Sequence, residues 1–232
     1  MSKLKEYKMF IDGLWIESES KKTFKTLNPE NNEPWAEVPE ANKNDVDIAV
    51  KAAQKAFVGS WSKLFPRDRA KYLKEIANQL RENSEHLGRI ETIDTGKLFK
   101  ETKTQANYIA EYYDYYAGLA DKVEGTVLPI DKPNMQVITT RVPIGVVAAI
   151  IPWNSQMLLT AVKLAPALAM GNTVVIKSSE LAPATLFEFA KLIEKTGIPK
   201  GVVNVISGFG EPCGKELTSH NLVERVAFTG GP

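Results

Sequence analysis

The chain has 232 residues, of which 25% are charged and 44% hydrophobic, ordinary proportions for a globular protein with room for one large domain or two small ones. Lys and Arg number 29 against 28 Asp and Glu, a near-neutral balance that argues against a nucleic-acid binder, which carries a basic stripe. A single cysteine, Cys213, excludes an intrachain disulfide, and with only His86 and His220 beside it no thiolate or imidazole metal cluster is expected.

The first segment, Met1–Ile11, is Lys-rich and lacks the apolar stretch of a secretory signal. The longest apolar run, Val146–Pro152, is too short to span a bilayer. A cytoplasmic protein with neither membrane nor nucleic-acid partner is therefore expected. Asp12-Gly13 stands between the apolar runs of Met9–Ile16, a hairpin signal. Asn28-Pro29 marks the next turn, and Trp35–Val38 reads as a short strand.

Helices follow. Asn44 is the expected N-cap of a helix on which Val46, Ala49, Val50, Ala53 and Phe57 recur at helical spacing. Leu73, Ile76, Ala77 and Leu80 form a second stripe. Leu87 and Ile90 belong to a third helix, closed by Gly96. Ala106, Ile109, Ala110, Tyr113 and Ala117 mark a fourth, whose tyrosines at 108, 112, 113, 115 and 116 read as packing residues rather than a stacking platform. His86 and His220 are expected at the surface or in caps.

Gly125–Val142 carries turn material at Pro129 and Asp131–Asn134, then alternates over Gln136–Val142 as a half-buried strand does. From Gly145 onward the pattern alternates strand and helix: strand Val146–Ile151, helix Leu158–Met170 with Pro166 inside, strand Thr173–Lys177, helix Ala182–Lys195, strand Val202–Ser207, short helix Glu211–Thr218 and strand Val223–Phe228. This order predicts an α/β fold built on a doubly wound parallel sheet.

In such sheets ligands bind beyond the C-terminal ends of the strands. Those ends carry Pro152-Trp153-Asn154, Lys177-Ser178-Ser179-Glu180, the turn Ser207–Gly214, and Phe228-Thr229-Gly230-Gly231. Gly208, Gly210 and Gly214 are one residue too widely spaced for the dinucleotide fingerprint and follow the third strand rather than the first. They fit a plain turn, or a turn that lets backbone approach a phosphate. Lys177 fits a solvated lysine at a strand end; with Glu180 it also fits a pair addressing ribose hydroxyls. Asn154 fits a turn residue or an oxyanion donor. Trp153 is assigned to the core, and Cys213 to packing rather than to nucleophilic attack.

Taken together, Ile150-Ile151-Pro152-Trp153-Asn154, Lys177-Ser178-Ser179-Glu180-Leu181-Ala182-Pro183, Gly210…Gly214 and Phe228-Thr229-Gly230-Gly231 resemble the aldehyde dehydrogenase superfamily in order and spacing. Upstream, Asn28-Pro29, the Asp45–Phe57 helix with Trp61, Arg67 and Arg69, and Asp94-Thr95-Gly96-Lys97 match as well, so the resemblance covers about Lys8 to Pro232.

The resemblance implies a Rossmann-like NAD(P)-binding domain over residues 1–124 and 143–232. Residues 125–142 would form a β-hairpin oligomerisation element, so a homo-oligomer is implied. Asn154 would donate to the oxyanion. Lys177 and Glu180 would bind the adenosine ribose. Ile150, Ile151, Pro152 and Trp153 would line the cofactor cleft, and Gly210 and Gly214 would admit the adenine end and pyrophosphate. Phe228, Thr229, Gly230 and Gly231 would lie under the pyrophosphate and nicotinamide side. NAD is expected over NADP, because the Glu180 carboxylate repels a 2′-phosphate.

Two departures stand out. Asn154 is followed by Ser155-Gln156, where many members have an aromatic or aliphatic residue and then Pro. The chain also stops at Pro232, before the segments that supply the general base and the nucleophilic cysteine in the family. The implied activity, oxidation of an aldehyde substrate to its acid, is thus expected only of a completed enzyme, and this chain alone is expected to be inactive. A non-catalytic NAD-binding module and an interaction partner of a full-length relative are the alternatives, and the uncovered sheet is expected to leave an apolar face open to self-association.

Overall fold

The computed structural model describes residues 4–231. The expectations placed on Met1, Ser2, Lys3 and Pro232 lie outside the described residues.

The first strands are β1 (Lys5–Glu6), β2 (Met9–Ile11), β3 (Leu14–Ile16), β4 (Thr23–Asn28) and β5 (Glu33–Pro39). Asp12 and Gly13 both take positive φ, 50° and 70°, the conformation a two-residue hairpin needs to match strand twist. Gly13 has a second reason to lack a side chain, since a Cβ there would stand 2.7 Å from Lys200 Cγ. The strand expected at Trp35–Val38 is longer and pairs with β4 around the Asn28-Pro29 turn. With β1 it forms a separate three-stranded sheet ordered β1-β5-β4.

Four helices follow: α1 (Lys43–Val58), α2 (Pro66–Glu82), α3 (Ser84–Thr95) and α4 (Phe99–Leu119). The cap of α1 is Asn42, not Asn44. The Asn42 side chain accepts from the Asn44 and Asp45 amides at 2.8 and 3.0 Å, and Asp45 answers by accepting from the Asn42 amide at 2.9 Å. The reciprocal bond to Asp45 fixes the cap two residues earlier than expected. Phe57 is only partly buried, whereas the stripes of α2 and α4 are buried as expected. Gly96 closes α3 at φ 77°. Of the α4 tyrosines only Tyr113 is fully buried; Tyr108 and Tyr115 are exposed, Tyr115 meeting the Tyr116 ring edge-on.

Next come the short hairpin β6 (Val127–Leu128) and β7 (Val137–Ile138), then β8 (Val146–Ile150), α5 (Gln156–Ala169), β9 (Thr173–Lys177), α6 (Ala184–Lys195), β10 (Val203–Ile206), α7 (Lys215–Ser219) and β11 (Val223–Phe228). The Gln136–Val142 strand is not half-buried. Two of its residues, Val137 and Ile138, hold strand register with β6, and all but Val137 are exposed among the described residues. The helix expected over Glu211–Thr218 begins late. Gly210–Gly214 forms a wide turn with Glu211 extended, and regular helix starts at Lys215.

The main sheet has the order β11-β8-β9-β10-β2-β3. The strands β11, β8, β9 and β10 run parallel, and the β2–β3 hairpin joins as an antiparallel edge through Phe10 and Val205. Side chains alternate faces along a strand, and the core divides accordingly. Val147, Ala149, Val174, Ile176, Val203 and Val205 pack toward α5 and α6, backed by α2 and α4. Val146, Ala148, Val175 and Ile206 pack toward α1 and Leu217 of α7. Helices thus cover both faces of the sheet, as in a doubly wound fold. The outer strand β11 keeps Val226 and Phe228 exposed. No helix among the described residues is long and apolar enough to cross a membrane.

Candidate cofactor site

Strand order fixes where a ligand fits. From β8 the chain winds outward through β9 to β10, then crosses back to lay β11 on the other side of β8. The crevice between β8 and β11 is the topological switch point, the usual ligand position in such sheets. Registers align Phe228, Ile150, Lys177 and Ile206 in one row at the sheet's C-terminal lip. The ladder continues one step further through Thr229 N–H to Ile150 O at 3.2 Å, Ile151 N–H to Lys177 O at 3.1 Å and Ser178 N–H to Ile206 O at 3.0 Å. Every loop with a predicted site residue therefore leaves the sheet from a fixed point on the same edge.

Lys177 is no solvated strand-end lysine: it is 4% exposed. Its ammonium donates to Ser178 O at 3.0 Å and lies 3.5 Å from Glu180 Oε2, while Glu180 remains partly open to solvent. A buried lysine whose head reaches a half-exposed carboxylate at a cleft is arranged to present donors and an acceptor together. A Cβ on Gly214 would come 3.7 Å from Lys177 Cδ and Cε, and one on Gly210 would meet nothing within 4 Å. Neither position is closed to a side chain by this chain's own packing, but only Gly210 faces open space, while Gly214 is buried against Lys177. Gly208 is different: its φ of 156° and a Cβ position 2.8 Å from Cys213 Cβ make it a requirement of the turn. Cys213 is fully buried, and burial pushes its thiol up to about 12. At five residues α7 is too short to supply a helix-terminal anion site.

On the other side of the switch, Ile150 is partly buried, Ile151 buried and Pro152 partly buried. Trp153 is 52% exposed, so its assignment to the core is corrected: the chain turns outward directly after the sheet's edge. Asn154 is exposed, with no side-chain hydrogen bond among the described residues. Phe228 and Gly231 are exposed and Thr229 partly buried, and Gly230 sits against the Phe228 ring, whose Cζ is 2.8 Å from where a Cβ would be.

Three residues outside the expected set brace these loops. Lys97 donates to Ser155 Oγ at 2.6 Å, fixing the residue after Asn154, and pairs with buried Glu91 at 3.6 Å. Burial raises the Glu91 carboxyl even with Lys97 beside it. Lys163 donates to Thr229 Oγ1 at 2.5 Å and to Leu159 O at 3.3 Å, and burial lowers its ammonium. Asp94 binds the start of α6. Asp94 and Lys97 stand in the Asp94–Lys97 string singled out in the sequence, without a role there, and Lys163 shows as the lone charge in the fourteen residues of α5. A cavity of about 980 Å³ opens beside β11 between Arg69, Lys163, Arg225 and Phe228. Of the predicted site residues it touches only Phe228, so it meets the cleft at the strand ends at that residue alone.

The model of the aldehyde dehydrogenase family matches residues 15–232. The chain is 51% identical over 230 residues to the (Z)-2-((N-methylformamido)methylene)-5-hydroxybutyrolactone dehydrogenase of Acinetobacter baylyi, covering 99% of this chain and 47% of that protein. It is 42% identical over 224 residues to the betaine aldehyde dehydrogenase of Bacillus subtilis, covering 96% and 46%. Among solved structures, an aldehyde dehydrogenase from Bacillus cereus in complex with NAD+ superposes with a TM-score of 0.95 at 38% identity, over 97% of this chain and 46% of the other. A betaine aldehyde dehydrogenase from Staphylococcus aureus with NAD+ gives 0.93 at 40%, over 97% and 45%. The chain spans about half the length of the curated relatives it matches.

Proposed function

This chain belongs to the aldehyde dehydrogenase family, and on that premise we propose that it carries the cofactor site and oxyanion donor of an NAD-dependent enzyme oxidising an aldehyde to a carboxylic acid. The observation that carries this reading is the buried Lys177 reaching Glu180 at the sheet's C-terminal lip, with open space at Gly210 and the buried Gly214 backbone close against the Lys177 side chain. When bound, the nicotinamide cofactor accepts the hydride the aldehyde loses. This chain's own residues bind and orient. Lys177 and Glu180 take the adenosine ribose, and Gly210 and Gly214 leave room for the adenine end and pyrophosphate. Ile150, Ile151, Pro152 and Trp153 form one wall of the cleft, and Phe228, Thr229, Gly230 and Gly231 form the floor under its nicotinamide side. Asn154, exposed and uncommitted, donates its side-chain amide to oxygen charge that develops on the substrate. The Glu180 carboxylate favours NAD over NADP.

The family's covalent route needs a thiolate. The one thiol in these residues is buried and poorly acidic, so it does not serve, and these 232 residues alone do not turn over aldehyde. Titrating NAD and NADP calorimetrically into the chain, beside an assay of aldehyde-dependent NADH formation, tests both parts. Saturable NAD binding tighter than NADP, with no NADH above a blank, is the expected result. A folded chain that binds neither nucleotide refutes the cofactor reading. NADH formation abolished by thiol alkylation refutes the inactivity.

A second reading has its own observation. The 125–142 hairpin exposes Val127, Leu128, Ile130, Met135, Ile138 and Val142, an apolar edge suited to pairing with another subunit. We assign it to oligomerisation, in a homo-oligomer or with a longer relative. Light scattering of the chain against an Ile138→Lys, Val142→Lys variant checks this, and an unchanged mass refutes it.

A further inference from the structure

Helix α6 begins directly after the loop that carries Glu180, and it has no cap of its own. Pro183 occupies the capping position and offers no side-chain acceptor. The first amides of a helix need acceptors from elsewhere, and here they come from the end of α3. Asp94 Oδ2 accepts the Ala184 amide at 2.8 Å, the Thr185 amide at 3.2 Å and the Thr185 hydroxyl at 3.4 Å. Its other oxygen accepts the Thr26 hydroxyl at 3.0 Å. Asp94 is 1% exposed, so water does not take its place. The loop Ser178–Pro183 is anchored by the sheet ladder at Ser178 and by Asp94 at Ala184, and between them Glu180 meets Lys177 and the Leu181 amide meets Ser179 Oγ.

We propose that Asp94 is a positioning residue for the adenosine end of the cofactor site: by capping α6 across the fold it holds the Ser178–Pro183 loop where Lys177 and Glu180 together address the ribose. This rests on the reading of Lys177 and Glu180 as the ribose pair. Losing the cap frees the first turn of α6 and with it the height and direction of Glu180, while the strand end bearing Lys177 stays fixed. Affinity for the adenosine part is then lost without loss of the sheet.

The electrostatics give the idea a readout. Burial, against the pull of its four donors, brings the Asp94 carboxyl up to about 7, so its charge changes near neutrality, and a protonated carboxyl is a poorer cap. The titratable groups around it are few. Tyr7 feels its charge, but the Tyr7 hydroxyl is committed to Glu188, which also lies 3.0 Å from His86. Glu91, one turn back on α3, is paired with Lys97.

The test is calorimetric titration of NAD into the chain, Asp94→Asn, Thr26→Val, Lys177→Met and the core control Leu80→Ala, between pH 6 and 8.5, with folding checked by circular dichroism. Asp94→Asn is expected to weaken NAD binding at pH 8 by about five- to tenfold, the scale of one lost hydrogen bond. Leu80→Ala, though less stable, should bind NAD normally. Affinity of the unaltered chain should fall as pH drops through neutrality, and Thr26→Val, which removes one donor without touching the loop, should move that inflection to higher pH. Undiminished affinity in a folded Asp94→Asn overturns the proposal. So does an inflection that Thr26→Val leaves in place, a readout that survives if Asp94→Asn does not fold. Weak binding by Lys177→Met alongside normal binding by Asp94→Asn refutes this inference alone. Normal binding by Lys177→Met removes the ribose reading beneath it.

Discussion

Replacing Lys177 by methionine keeps the length of the side chain and removes its charge. Two consequences of the structure pull in different directions. The ammonium is almost fully buried, with one backbone carbonyl at 3.0 Å and one carboxylate at 3.5 Å. Removing it loses those contacts but also relieves the cost of keeping a cation out of water, and such exchanges are often neutral. Glu180 is left unpaired but partly exposed, so solvent takes the place of the ammonium. The expected change in stability is within about 1 kcal/mol, a melting shift of roughly 2–4 °C for a chain of this size. Cofactor binding has no such compensation. A charged hydrogen bond to a ribose hydroxyl contributes about 1.5–3 kcal/mol, so NAD affinity should fall roughly 10- to 150-fold. Calorimetric titration paired with thermal melting reads both quantities on one sample. A variant that melts far below the parent yet binds NAD equally well would show that Lys177 serves the fold, and the reasoning from its burial would be wrong.

Three further expectations follow from single residues. Cys213, raised to about 12 by burial, should have about one thiol in ten thousand ionised at pH 8 and react with an alkylating reagent only after unfolding; stoichiometric labelling of the folded chain at the rate of a free thiol contradicts this. Asn154→Ala removes an exposed side chain without partners among the described residues, so unfolding free energy should change by less than about 0.5 kcal/mol, and a melting point lower by several degrees would mean the loop depends on it. Burial alone would raise the Glu188 carboxyl, but Lys5, His86, Lys191 and Tyr7 outweigh it and hold it at about 2. That stabilisation is present above the ordinary carboxylate value and is lost as pH falls toward 2. With its three basic partners roughly half exposed, Glu188→Gln should cost roughly 1–2 kcal/mol in urea unfolding at pH 7, and a gap that does not shrink below pH 4.5 would tell against an electrostatic origin.

The strands Thr173–Lys177 and Val223–Phe228, the Asp12-Gly13 hairpin, the Gly96 cap and the stripes of α2 and α4 were legible because each is a local matter of side-chain period or backbone φ. Errors gathered where a reciprocal contact sets a cap or where burial is decided from afar. The cap of α1 falls on Asn42, two residues before Asn44, because Asp45 answers it. Trp153 has the chemistry of a core residue but stands beyond the edge of the sheet. The Gln136–Val142 alternation suits a half-covered strand, yet nothing among the described residues covers it.

The sequence by itself determined the four helices of the 43–119 region, the alternation of strand and helix from Gly145 onward and the strand ends that carry polar chemistry, because those depend on residues close along the chain; the strands Thr23–Asn28 and Lys5–Glu6 it did not show. Only the tertiary structure decided that β11 returns beside β8 and so where the cleft opens. It alone showed that Lys97 braces Ser155, Lys163 braces Thr229 and Asp94 caps α6, pairs 58, 66 and 90 residues apart. Partners so distant leave no periodic trace, and their contact exists only once both faces of the sheet are covered and the loops at its lip are drawn into register.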